Sequence, residues 1–243
     1  MSATSTNWAP TVPDQLGDAL VVERLSGTES VAQRAYDAIR TAILAMDVYA
    51  AEVDLRLDEK RIAADLGISR TPVRDALARL EHEGLVRIAP RRGVFIVRKS
   101  KAEIVEMITV WAALESMAAR LLCERASDEE IASLRELFKD FGADTVRFRL
   151  NEYSAANLRF HQRIIELSHS PLLTEMAERL MAHVRAIRGH TIGEDDRVER
   201  SIVDHMHIIE ALEARGGELA ERLVRDHALA LAAHVERTAD YLD

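Results

Sequence analysis

Apolar positions repeat at helical spacing in two successive segments between residues 57 and 84. In the first segment Ile62 and Leu66 share one face of a helix, and in the second Val73 and Leu80 do. Gly67, between the segments, can take the left-handed conformation that a sharp turn between two helices needs. The pattern predicts a helix-turn-helix.

Residues that start and stop helices support this prediction. Ser69 to Thr71 can cap the free amides of the second helix, and Pro72 falls in its first turn, where no backbone donor is required. Gly84 ends the helix, and two short apolar runs at 85–88 and 94–97 predict a pair of strands joined by a loop. Two strands after a helix-turn-helix form a wing, so the sequence predicts a winged helix-turn-helix.

The rest of the chain favours helices. Residues 30–46 predict a helix that packs under the helix-turn-helix, and residues 1–29 predict a mobile or loosely docked arm. The predicted fold class is mainly α: a winged helix-turn-helix domain over residues 30–99, followed by an all-α helical bundle over residues 101–243. The helices predicted in the bundle span about 102–124, 128–141, 145–168, 171–190, 194–214 and 217–240.

Charge is unevenly distributed along the chain. The formal net charge is −9, yet residues 31–101 carry 14 Lys and Arg against 10 Asp and Glu, whereas residues 102–243 carry 17 against 27. The basic excess lies in the predicted winged domain and suits contact with nucleic acid. A single cysteine, Cys123, excludes an intrachain disulfide and a cysteine-based zinc finger. Because no leader or membrane-length apolar run occurs, we expect a cytoplasmic protein without a membrane partner.

Basic and hydroxyl side chains gather at the start of the second helix. Arg70 and Arg74 point away from its apolar face, and donors at the leading end of such a helix can reach base edges in a major groove. The alternative is that these arginines are only solvated surface. We favour contact with double-stranded DNA, with base contacts from these two arginines. Supporting contacts at phosphates and at the wing are predicted for Lys60, Ser69, Thr71, Arg91, Arg92 and Gly93.

The residues of this region resemble a known family. The run GISRTPVRDAL over residues 67–77, with LE at 80–81, EGLV at 83–86 and RRGV at 91–94, closely resembles the DNA-binding domain of GntR-family bacterial transcription regulators. Residues 101–243 resemble, less sharply, the all-helical effector domain of the FadR-type branch of that family, called the FCD domain. The resemblance implies a ligand-responsive regulator. Since one recognition helix covers only a few base pairs, we expect a homodimer on a near-palindromic operator.

Polar residues interrupt the apolar stripes of the helical part. Asn157 and His161 stand one turn apart on an inward face, and His205 and His227 lie in the inward seams of the last two helices. The last two histidines are each ten residues from the turn at 215–217, so an antiparallel hairpin brings them to the same height. Three imidazoles and an amide oxygen suit a divalent metal. The alternative is that a carbonyl or a carboxylate satisfies each buried histidine.

The resemblance to the FCD domain supports the metal interpretation. Metal-binding members of that type carry an Asp, a His four residues later and two further His in the last hairpin. Asn157 stands at the position of the Asp, and His161, His205 and His227 match the three histidines. The resemblance therefore implies a metal at these four residues, with zinc expected first and nickel or manganese as alternatives.

A second feature concerns the ligand that this domain holds in the family. Members usually have an Arg three residues before a Leu-Glu pair, where this chain has Trp111, and that Arg helps to hold a carboxylate. Either Arg185 or Arg188 takes this role, or the pocket accepts a less anionic and more aromatic molecule. We expect an organic acid as the effector, in a pocket lined by Trp111, His183, Arg185 and Arg188.

Three functions fit these features. The first is a metabolite-responsive transcription repressor that is modulated by a small ligand at the metal site. The second is a metal-dependent hydrolytic enzyme, for which Glu166 and Asp204 are the candidates for a general base. The third is a regulator with a purely structural metal and no effector. We favour the first function and expect no catalytic residues.

Overall fold

The computed structural model describes four stretches of the chain, residues 30–50, 52–142, 146–194 and 196–239. Contacts within the chain divide it into two compact units, with the boundary between Arg98 and Lys99. The predicted N-terminal arm, residues 1–29, lies outside the described residues. We call the two units the winged unit and the helical unit.

The winged unit combines helices with a small sheet. Its elements are α1 (Val31–Ala45), β1 (Arg56–Leu57), α2 (Glu59–Leu66), α3 (Arg70–His82), β2 (Val86–Ala89) and β3 (Gly93–Ile96). β3 lies between β1 and β2 and is antiparallel to both. The predicted winged helix-turn-helix is confirmed, and the bounds of both wing strands differ from the prediction by one residue. The sequence did not predict β1, because a two-residue strand has no alternation to read.

The turn between α2 and α3 follows from its local residues. The Asp58 side chain accepts hydrogen bonds from two backbone N–H groups of the first turn of α2. Gly67 ends α2 with φ +67°, the left-handed conformation that the sequence predicts there. Ser69 stands at the N-cap of α3, but its side chain makes no capping bond, so the predicted side-chain cap is not formed by this residue.

Packing fixes which face of α3 is exposed. α3 packs against α1, with Leu77 and Leu80 buried against a face that includes Ile39 and Ile43. Burying each such side chain contributes about 1.5–3 kcal/mol. The polar side of α3, with its arginines, therefore faces away from the core.

The helical unit consists, in its described residues, of α-helices and one short 3₁₀ turn at Val146–Arg149. Its helices are α4 (Lys101–Arg125), α5 (Asp128–Glu136), α6 (Leu150–Leu167), α7 (Pro171–Thr191), α8 (Arg197–Glu213) and α9 (Gly217–Thr238). The mainly α fold class is confirmed. Ser127 and Glu130 form a capping box at the start of α5.

α5 ends at Glu136, five residues before the predicted end of the helix at residue 141. The N–H of Phe138 bonds a carbonyl three residues back rather than four, so the chain has left the α-helical path. The Phe138 ring is buried against the rings of Tyr153 and His205. A tertiary contact therefore ends this helix, and no local stop signal marks it.

α4 is the centre of the helical unit. It packs against α6, α7, α8 and α9, and its inward stripe includes the buried side chains of Ile108, Trp111 and Leu122. Glu115 lies on the same stripe and is fully buried. No helix in the described part of the chain is long and apolar enough to cross a membrane.

Candidate functional site

Three histidines from three helices converge inside the helical unit. His161 comes from α6, His205 from α8 and His227 from α9. One ligand nitrogen of each lies within 4.8 Å of those of the other two. His161 and His205 are buried, and the side chain of His227 is 8% exposed. The structure thus brings together the three histidines that the sequence predicts as ligands, and we call them the imidazole cluster.

Two of these rings are held by carboxylates. Nδ1 of His161 bonds the carboxylate of Glu115, and Nδ1 of His227 lies 3.0 Å from Oδ2 of Asp204. A ring nitrogen that donates to a carboxylate leaves the other nitrogen, Nε2, unprotonated, and in His161 this nitrogen accepts a hydrogen bond from Arg188. Carboxylate partners of this kind orient the histidine ligands of many metal sites.

The third ring is held by a hydroxyl group. Nδ1 of His205 lies 3.1 Å from the Tyr153 hydroxyl. Because that hydroxyl donates its own proton to Ser201 Oγ at 2.8 Å, it accepts from His205. In the tautomer that matches this direction, His205 carries its proton on Nδ1 and keeps a lone pair on Nε2.

Two buried polar atoms on the helices that carry the cluster have no hydrogen-bond partner. They are Nε2 of His205 and Oδ1 of Asn157, and both side chains are buried. A buried polar atom left unpaired costs about 1–3 kcal/mol. Both atoms are types that ligate divalent cations, so the residues present fit a metal ion.

Arg188 brings a positive charge to the same place. It is 3% exposed, and its Nη1 donates to Nε2 of His161 at 2.7 Å. Its Nε and Nη2 are buried without a partner. A buried guanidinium with free N–H groups is a site for an anion, and a carboxylate matches its planar fork. Of the two arginines predicted to replace the family's Arg, Arg188 is the one beside the imidazole cluster.

Glu115 was missed as a site residue by sequence reasoning. Its Oε2 accepts a hydrogen bond from the indole N–H of Trp111 at 2.7 Å, and its Oε1 bonds His161. The available signal was a single charged residue on the apolar stripe of α4. Trp111 is fully buried, so its contact with Glu115 orients that carboxylate.

Burial shifts the protonation of these groups. It raises the pKa of Glu115 to about 7, an effect that the nearby charge of Arg188 opposes. It lowers the pKa of His161 and of His205 well below the usual value, and it lowers that of His227 although Asp204 acts in the opposite direction. The imidazoles are therefore neutral near pH 7, which is the form that binds metals.

Of the other predicted residues of the helical unit, Asp204 contacts the imidazole cluster. His183 is buried and Arg185 half-buried on α7, and His183 does not belong to the group of possible ligands found among the described residues. Glu166 is half-exposed on α6 and pairs with Arg163. Asp204 bonds His227 and lines an open cleft of about 210 Å³. The remaining residues that line the cleft are His207, Leu223, Asp226 and His227.

The predicted DNA-binding residues form an exposed face of the winged unit. The side chains of Arg70 and Arg74 are 55% and 61% exposed in the first two turns of α3. At the wing, Arg91 has φ +63° and Gly93 has φ +115°. This tight turn exposes the loop between β2 and β3. The other exposed residues of this set are Lys60, Ser69, Thr71, Arg91 and Arg92.

Sequence reasoning also missed the partner of these arginines. Oε2 of Glu59 accepts from Nη2 of Arg70 at 3.0 Å and from Nε of Arg74 at 2.8 Å. The spacing of 11 and 15 residues crosses the inter-helix turn, so it matches no local pattern.

Comparison with known proteins covers both units. Residues 31–96 match the family described as bacterial regulatory proteins, gntR family, and residues 106–230 match the FCD domain. An HTH-type transcriptional regulator of Agrobacterium vitis is 39% identical over 53% of this chain and 73% of its own length. The HTH-type transcriptional repressor RspR of Escherichia coli is 24% identical over 89% and 94%.

Solved structures share the fold. The E. coli protein McbR/YncC superposes with a TM-score of 0.71 at 22% identity, covering 88% of this chain and all of that one. The families and the names of relatives are those of transcriptional regulators rather than enzymes, in agreement with the predicted function. With a winged unit and a helical unit that match these two families in order, the chain belongs to the GntR family of bacterial regulatory proteins and is a DNA-binding transcription regulator with an FCD effector domain.

Proposed function

We propose that this regulator is a metabolite-responsive repressor whose effector, an organic acid, binds beside a divalent metal in the helical unit. One observation carries the proposal: Nε2 of His205 and Oδ1 of Asn157 are buried without a partner on helices that carry the imidazole cluster, and Arg188, which bonds His161, has two further nitrogens without a partner. The lone pairs can bind a cation, and the N–H groups can bind an anion. A metal and a carboxylate together satisfy both.

His161, His205, His227 and Asn157 would hold the metal. Zinc suits three imidazoles, and nickel or manganese suits a site with further open positions. A bound divalent cation would supply positive charge for an anionic effector. Because the amide of Asn157 is neutral, the metal is held more weakly than in a site with a carboxylate at that position.

The buried arginines favour an anionic effector over a neutral aromatic one. Besides Arg188, Arg197 has a buried Nε without a partner. Arg197, Ser201 and His205 follow each other at intervals of four on α8, so they share one face of that helix. This face places Arg197 two turns from the imidazole cluster, within reach of the far end of a small organic acid.

A homodimer is part of the proposal. α4 and α7 pack against each other, and each carries large apolar side chains in solvent: Val110 and Met117 on α4, Leu172 and Met176 on α7. A second copy of the chain that covers such side chains would remove their apolar area from water. Two winged units in one dimer would read two half-sites of a near-palindromic operator. The name of the E. coli relative, a transcriptional repressor, supports repression rather than activation of transcription.

Metal content tests the first part of the proposal. Untagged protein is dialysed against zinc, nickel or manganese, and we expect about one ion per chain by elemental analysis. His205→Ala should lose the ion, and Asn157→Asp should bind it about tenfold more tightly because it adds a charged ligand. His207→Ala, which changes an exposed histidine two residues away on the same helix, should keep it. Wild-type protein that binds no stoichiometric metal would contradict this part.

Release of DNA tests the effector. Metal-loaded protein on a duplex selected from a random library is titrated with mono- and dicarboxylic acids. We expect at least one acid to weaken binding, and Arg188→Gln to abolish that response while the metal stays bound. If no acid changes DNA binding although the metal is present, the metal is structural and the effector part is wrong.

A further inference from the structure

The two arginines predicted to read bases share one carboxylate oxygen. Glu59 Oε2 accepts from both Arg70 and Arg74, at 3.0 and 2.8 Å. The carboxylate is the less exposed partner, with 22% of its side chain in solvent against more than half of each arginine. The arrangement therefore fixes one end of two long side chains whose other atoms face solvent.

The fold places Glu59 for this contact. Asp58 caps α2, which makes Glu59 the first residue of the helix, and the turn at Gly67 brings the start of α3 alongside. Arg70 and Arg74 are one turn apart on α3, so a single carboxylate can meet both. Both contacts hold the pKa of Glu59 below its usual value, so the group is charged near pH 7 in the free protein.

We propose that Glu59 is a positioning residue that sets the sequence specificity of DNA binding. Exposed ion pairs contribute little to stability, so a structural role does not account for the contact. An arginine held at one nitrogen loses less side-chain entropy when its remaining donors bind a base edge. The same carboxylate repels phosphates, which weakens binding to DNA that offers only its backbone. Both effects raise the ratio of specific to non-specific affinity.

Three variants of the full-length chain test the proposal. Duplexes are first selected by the wild-type protein from a randomised library, and binding is then measured on a selected duplex and on an unrelated duplex of equal length. Glu59→Gln removes the charge at nearly constant shape. Glu59→Asp keeps the charge but shortens the reach. Asp65→Asn, the matched control, removes a carboxylate of the same helix that pairs with Arg61 at 3.8 Å.

For Glu59→Gln we expect the unrelated duplex to bind about threefold more tightly and the specificity ratio to fall about tenfold. For Glu59→Asp, which leaves the net charge unchanged, the ratio of specific to non-specific affinity should fall by a smaller factor. A repeated selection with Glu59→Gln should relax only the base positions read by α3. Asp65→Asn should tighten both duplexes equally.

Three results would overturn the proposal. They are a ratio within about twofold of wild type for Glu59→Gln, a full wild-type ratio for Glu59→Asp, or an equal loss of ratio for Asp65→Asn. A merely structural role would change thermal stability and leave the selected sequences unchanged.

Discussion

The winged unit and the helical unit place their charged groups in opposite surroundings. In the winged unit, Arg70 and Arg74 are more than half exposed and share Glu59 at the surface. In the helical unit, Arg188, Glu115 and the imidazole cluster are buried, and several of their polar atoms have no partner. Exposed pairs can exchange with water at little cost, whereas buried ones must be satisfied inside the protein. The difference suits a surface that binds a large polyanion and the small-ion site that we propose for the interior.

The largest effect that this comparison predicts is the loss of Glu115. Glu115→Ala would leave His161 without its Nδ1 acceptor and would remove a nearby negative charge that stabilises the buried Arg188 cation. Removing one partner of such a buried pair costs about 3–5 kcal/mol. We expect the free energy of unfolding, measured by denaturant in the presence of a chelator, to fall by about this amount.

A surface control sharpens this prediction. Glu59→Ala removes a carboxylate with two arginine partners in the winged unit, and exposed pairs contribute about 0–1 kcal/mol. Equal losses for the two variants would show that the contrast between the buried and exposed pairs is wrong.

A second prediction separates the two units by their response to acid. The imidazole cluster has folded-state pKa values below the usual 6.5, so the unfolded chain binds more protons below that pH. Stability from this source is present above pH 6.5 and is lost as the pH falls toward the folded values. For each additional proton that the unfolded chain binds, the free energy of unfolding falls by about 1.4 kcal/mol per unit of decreasing pH. Glu115 acts in the opposite direction, because its folded pKa of about 7 lies above its unfolded value.

With three imidazoles against one carboxylate, the metal-free helical unit should lose stability between pH 6.5 and 5. The winged unit has lowered pKa values at Asp58 and Glu59, so its own loss comes only below their usual values near 4. Hydrogen exchange resolved by segment measures both units in one sample. Protection that falls first in α2 and α3 as the pH decreases would contradict this order.

The sequence alone predicted those parts of the molecule that depend on residues close together along the chain. The helix-turn-helix, its wing and the pairing of His205 with His227 depend on local periodicity and on a tight hairpin, which spacing along the chain describes well. The early end of α5 and the contact of Glu115 with His161 depend on neighbours 15 to 46 residues away. Glu59 was missed for the same reason, since its arginines lie across a turn. The convergence of the three histidines could be predicted from the sequence, while the side chains that orient them could not.

The smallest predicted effect concerns the wing. Arg91 and Arg92 are exposed in the loop between β2 and β3. Among the described residues no carboxylate pairs with them, so nothing orients them as Glu59 orients the arginines of α3. They therefore suit contact with phosphates rather than bases. Arg92→Ala should weaken binding to selected and unrelated duplexes alike and reduce the slope of log K against log salt by about 1. Arg74→Ala should instead weaken binding to the selected duplex by about 1–3 kcal/mol more than binding to the unrelated duplex. Arg237→Ala, an exposed arginine at the end of α9, serves as the control and should change neither quantity. If Arg92→Ala lowered affinity only for the selected duplex, the wing would contact bases. Sequence specificity would then come from the wing as well as from α3 and Glu59.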